Sequence, residues 1–176
     1  MNRLVSLLVA IAVAVPVLAC EAPVTAAVVK EILRVEGRKN VVFAKQSRGV
    51  MRPLIAKVTT ELRSTVIAEE ILADFEERNV ETVELDAPNA VDLKDYMGGA
   101  GIDWTRLERE FPGVELVVEL SRPGCDSQSA FAIVQARYRL RDERFPDEGR
   151  VFHAERRPDG WVAHRTVVWN AEHLAQ

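Results

Sequence analysis

Hydrophobic and polar positions alternate most clearly in the second half of the chain. Val114, Leu116, Val118 and Leu120 fall on one side of a stretch whose other side is Glu115, Val117 and Glu119, the two-residue period of a half-buried strand. Ser121-Arg122-Pro123-Gly124 breaks the pattern, and alternation returns from Ala130 to Leu140. There Ala130, Ala132, Val134, Ala136, Tyr138 and Leu140 form the candidate core face, opposite Phe131, Ile133, Gln135, Arg137 and Arg139. After the turn cluster Phe145-Pro146-Asp147-Glu148-Gly149, two more strands, Val151 to Arg156 and Trp161 to Trp169, flank Arg157-Pro158-Asp159-Gly160. Pro second and Gly fourth suit a type I turn with a left-handed glycine bulge. This register pairs Arg157 with Trp161 and sets His153 opposite Arg165 and His164 opposite Ala154, on different faces where they share no metal. A plain four-residue loop pairs Arg156 with Trp161 and places His153 across from His164; the bulged register is the expectation.

The first half reads as helices around one short strand. Val24, Val28, Ile32 and Val35 form a helical stripe over Val24 to Val35, stopped by Gly37. Val41-Val42-Phe43-Ala44 is a buried strand able to join the sheet, and an irregular basic stretch with Arg48-Gly49 and Arg52-Pro53 follows it. Ser64 caps a helix from Thr65 to Arg78 that buries Ile67, Ile71, Leu72 and Phe75 and stops at Asn79. Ala87-Pro88-Asn89 and Met97-Gly98-Gly99-Ala100-Gly101 bracket a loop, after which Asp103 caps a short helix carrying Trp104, Leu107 and Phe111. Together these elements predict an α+β fold: an antiparallel sheet of four to five strands with helices packed on one face.

The amino end changes the picture by supplying a compartment. Met1 to Ala19 has Arg3 as its only charge, an aliphatic run from Leu4 to Val15, then Pro16 and a small residue last, the layout of an export signal. Its apolar run is short of the roughly 20 residues that span a bilayer, so residues 1–19 read as a cleaved signal peptide and residues 20–176 as a single α+β domain. Cys20 directly follows Ala19 and resembles the lipid-modified cysteine of bacterial lipoproteins, which implies a membrane anchor at Cys20. The alternative is an ordinary cleavage that leaves Cys20 free to form a disulfide with Cys125, the only other cysteine. An acylated sulfur cannot also enter a disulfide; the lipoprotein is the expectation.

Charge adds less. The formal net charge of −4 argues against general nucleic-acid binding. A basic block from Lys30 to Arg63 precedes an acidic one from Val66 to Asp95. The basic block near an anchor suits anionic headgroups, but the expectation is that the two segments simply face each other or solvent, since surface charge pairs are common and energetically minor.

No stretch carries diagnostic chemistry. Gly98 to Gly101 lacks the Lys-Ser/Thr ending of a phosphate loop, and Asp103 would occupy the helix donors an anion needs. His153, His164 and His173 lack close metal-ligand spacing. There is no Gly-x-Ser-x-Gly elbow, and Ser121, Ser127, Ser129 and Cys125 sit in turn-like sequence. No catalytic residue, metal ligand or cofactor is therefore assigned. Two surfaces remain. Arg137, Arg139 and Arg141 line one strand face opposite Glu115 and Glu119, as ion pairs or as a surface for an anionic ligand or partner. Trp161 and Trp169 share a strand face with Arg165, as a covered core or as the wall of a small-molecule pocket.

Phe111-Pro112-Gly113, Leu120-Ser121-Arg122, Gly149-Arg150-Val151, Gly160-Trp161-Val162 and Val168-Trp169 together resemble a group of uncharacterised bacterial exported proteins, over roughly the C-terminal third. The resemblance implies export and a compact α+β domain, and supplies no activity. The expectation is an exported, lipid-anchored envelope protein acting through binding or protein contacts, with an unknown envelope protein or a small ligand as partner. The alternative is a ligand-binding or enzymatic pocket on the Trp161/Trp169 face with Arg165.

Overall fold

The computed structural model describes residues 20–37, 40–49, 69–99, 101–128, 130–141 and 148–170, with backbone alone at 148 and 166–170. Residues 1–19, expected above to be a signal peptide, and Arg52-Pro53, Ser64, Ile67, Ser129 and His173 lie outside the described residues.

The first helix, α1, runs over Glu21–Glu36. An acidic residue in its first turn and Arg34 in its last complement the helix dipole. Gly37 ends it at φ 86°, where its N–H reaches the Leu33 carbonyl; the left-handed backbone needed there favours glycine. The stripe Val24, Val28 and Ile32 is buried, whereas Val35 is 48% exposed and stands outside the core. Strand β1 is Val41–Ala44 and α2 is Glu69–Arg78. Asn79 stops α2 by donating its side-chain amide to the Phe75 carbonyl. Strand β2 (Ala90–Val91) and a 3-10 turn over Leu93–Tyr96 follow, then a small hairpin of β3 (Met97–Gly98) and β4 (Gly101–Ile102). Asp103 caps α3 (Trp104–Glu110) by accepting the Arg106 N–H.

The remaining strands are β5 (Leu116–Leu120), β6 (Gly124–Cys125), β7 (Phe131–Leu140), β8 (Glu148–Arg157) and β9 (Gly160–Asn170). They build one seven-stranded sheet in the order β2-β1-β5-β7-β8-β9, with β6 also paired to β7. The fold is α+β, but the sheet is mixed and not the antiparallel one of four to five strands expected from the sequence. Strand β1 runs parallel to both β2 and β5, and every other pairing in the sheet is antiparallel. Two-residue strands such as β2 and β6 are too short to show a period.

Helices also cover both faces, not one. On the first face α1 packs Val24, Val28 and Ile32 onto Val41, Phe43, Leu116, Val118, Val134 and Tyr138. On the second, α2 sets Ile71 and Phe75 against Ile133. Beside it, α3 and the 3-10 turn bury Leu107 and Tyr96 with Val42 and Val117. Each such aliphatic side chain contributes ~1.5–3 kcal/mol through burial, which favours a layer on each side. For the same reason Ile133 and Gln135, on the outer side by alternation, are buried.

The β8–β9 hairpin differs from the expected register. Arg156 pairs with Trp161 and Arg157 with Gly160, so His153 faces His164 across the ladder. Gly160, at φ 126°, is itself a ladder partner. The extra residue is taken up further along, where Phe152 pairs with Arg165 but Val151 pairs with Val167, leaving Thr166 as the bulge.

Candidate functional site

The bulge at Thr166 dismantles the tryptophan face. Trp161 is in step with Phe152 and Ala154, and packs against the core under α1. Position 169 pairs with Gly149, in step with Val151, because one inserted residue shifts the alternation by one. The two tryptophan positions are therefore out of phase, a correction to the shared face read from the sequence. Arg165 pairs with Phe152 in the ladder and is exposed. Its charge acts on Glu31 of α1. That carboxyl is held below its ordinary range, first by hydrogen bonds from Arg34 at 2.7 Å, with smaller contributions from His164 and Arg165.

The arginine stripe meets carboxylates from the neighbouring strand and from α3. Arg139 donates to Glu119 on β5, and Arg48 lies 3.5 Å from the other oxygen of that carboxylate. Arg137 is the ladder partner of Glu119. Arg141 bonds Glu108 of α3 at 2.6 Å. Ser121 closes the adjoining turn: its hydroxyl accepts the Gln135 N–H at 2.8 Å, while its own N–H donates to the Gln135 carbonyl. A recess lined by Arg48, Gly49, Glu119, Ser121, Gln135 and Arg137 is too narrow to admit water. The arrangement orders cross-strand charge and leaves no chamber for a ligand at that point.

The cysteines sit within a dense group of hydrogen bonds and ion pairs. Cys20, fully buried immediately ahead of α1, is joined to Cys125 on β6 by a disulfide across a separation of 105 residues. Beside it, Arg122 donates through Nε and Nη2 to the two oxygens of Glu21 at 2.9 and 3.0 Å, the bidentate geometry that suits a guanidinium. Arg78 reaches Glu21 at 3.4 Å and Asp74 at 2.7 Å. Asp74 also accepts the Cys125 N–H at 2.7 Å. Asn79 completes the arrangement, accepting from the Arg122 N–H and donating to the Arg122 carbonyl. Sequence reasoning identified the cysteines but missed Glu21, Asp74, Arg78, Asn79 and Arg122 as a group. Only the closeness of Glu21 to Cys20 and of Arg122 to Cys125 hinted at it.

The histidines meet on the second face. His153 and His164 are direct cross-strand partners, the Phe131 ring stacks on His153 with centroids 5.7 Å apart, and Glu155 lies 3.8 Å from His164 Nε2. Burial holds His153 below its ordinary value, with His164 adding to the effect and Glu155 opposing it. Among the described residues no group of three or more His, Cys, Asp or Glu is placed to hold a metal ion, and no helix is long and apolar enough to cross a membrane. No family model matches this chain, and neither does any curated protein or solved structure.

Proposed function

We propose that this chain is an exported protein of the bacterial cell envelope that works through contacts with another envelope component. The signal-like residues 1–19 and the covalent use of both cysteines support export, since a disulfide persists in an oxidising compartment. The observation that carries the contact reading is the covered first face. Helix α1 fills the side of the sheet where a ligand pocket beside Trp161 would have to open, and a small-molecule site needs a concave, largely pre-formed cleft.

A second reading of Cys20 is favoured by its place directly after Ala19: the lipid anchor, which would tether the protein to a membrane surface. It competes for the sulfur that the fold gives to Cys125. Intact mass spectrometry of the membrane and soluble fractions of the native host, with a Cys20→Ser variant beside it, separates the two. The expected result is a soluble chain beginning at Cys20 and two hydrogens lighter than its reduced form. A diacylglyceryl-sized addition that disappears in the variant would establish the anchor and remove the disulfide from the mature protein. Retention of the whole chain in the cytoplasm with an uncleaved amino end would overturn export itself.

A further inference from the structure

The register of the β8–β9 hairpin brings together two imidazoles that the expected bulged turn would have separated. We propose that His153 and His164 form a two-histidine chelate for a divalent transition ion of the zinc, nickel or copper(II) class, held on the second face of the sheet.

Geometry is the first support. Directly opposed residues of an antiparallel ladder share a face with Cβ atoms about 4.5–5.5 Å apart, and His153 and His164 are such a pair. Imidazole nitrogens bind zinc at about 2.0–2.1 Å, so two rings rooted at that separation can close on one ion by side-chain rotation alone. Phe131, one strand over, stacks on His153 with an interplanar angle of 15° and fixes the plane of that ring. His164, with a side chain 55% exposed, is the more accessible of the two rings.

Electrostatics is the second. A metal takes the neutral imidazole. Glu155, 3.8 Å from His164 Nε2, supplies negative charge beside the chelate and a carboxylate able to orient the ligating ring. Arg157 donates to the same Glu155 oxygen, so part of that charge is offset at the turn end of the hairpin. Nitrogen donors without thiolate select borderline transition ions over calcium or magnesium, and both cysteines are committed to their disulfide. With no third side chain completing the set among the described residues, the remaining positions fall to water, so the ion would stay open to an incoming ligand.

Copper(II), the strongest binder in the divalent series, is the probe. Isothermal titration calorimetry of the oxidised full-length mature chain is expected to show one equivalent bound, with electron paramagnetic resonance reporting nitrogen ligation. His153→Ala and His164→Ala are each expected to lower the affinity by about tenfold or more, since even outer-shell changes cost that much, while His173→Ala leaves it unchanged. His164 is exposed, so His164→Ala decides the question should His153→Ala fold poorly. Absence of binding at one equivalent, unchanged affinity in His164→Ala, or loss of binding in His173→Ala would each overturn the proposal.

Discussion

Gly124 shows how one missing side chain sets the distance between two elements. A Cβ built there would lie 2.3 Å from Phe75 Cβ and 2.7 Å from both the Ile71 carbonyl oxygen and Phe75 Cα, and much of that obstruction is the backbone of α2, which cannot rotate away. Gly124→Ala should therefore destabilise the fold by about 1–3 kcal/mol or more, the cost of overpacking. A urea or guanidinium titration reads this as a lower midpoint, and an unmoved midpoint would show that α2 yields easily. In the sequence this glycine looks like part of a turn, and nothing local announces a helix 49 positions upstream. Asp103 and Gly37 were legible because a cap acts on its own neighbours. His153 carries a second consequence at this scale. Its folded value lies below the ordinary 6.5, so the protein takes up a proton there on unfolding. The stability that His153 contributes is present above about pH 6.5 and is lost as the pH falls through the folded value. Thermal midpoints should decline from about pH 7.5 to about pH 5, and His153→Gln should flatten part of that decline; an identical profile would remove His153 from the account. The groups bearing on it are His164 and Glu155 across and along the hairpin, with Phe131 stacked from β7.

At the scale of elements, alternation revealed what it measures. The inward sides of β5 and β7, Leu116 to Leu120 and Ala132 to Tyr138, are buried as read, because a long strand with one face on the core repeats its period several times. Strand β1 was visible as a buried run, but its parallel partners were not, since parallel pairing depends on connections too distant to read locally. The face opposite the core was misread because α2 and α3 cover it in patches: Ile133 and Val117 lie under helices while Arg139 meets Glu119 between them. The tryptophan face failed on one residue, Thr166, since a bulge within a strand leaves no signature as plain as a turn's proline and glycine. Helix α1 is the element whose place is most over-determined, held by burial, by the Glu21–Arg122 pair and by the Cys20–Cys125 bond. Closing a loop of this length contributes about 4–5 kcal/mol in the chain-entropy account. Replacing both cysteines by serine should lower the denaturation midpoint accordingly, and a shift below about 1 kcal/mol would mean that the salt bridge and the core hold α1 without it.

For the molecule as a whole, the α+β class was legible in the strand and helix patterns, while the proposed histidine site stayed out of reach of the sequence. Its candidate residues are spread over segments that meet only after folding: Phe131 on β7, His153 and Glu155 on β8, and His164 on β9. The pair at the end of the β8–β9 hairpin depends on a register that a single turn glycine left ambiguous. The bond between Cys20 and Cys125 also divides the chain topologically into a closed ring, carrying every described helix and the strands up to β6, and an open tail that supplies β7, β8 and β9. A protease that cuts once inside the ring leaves a single covalent molecule whose two pieces separate only on reduction, whereas a cut in the tail can release sheet strands directly. A single cut in the larger part of the chain therefore leaves its pieces joined for as long as the disulfide stays oxidised.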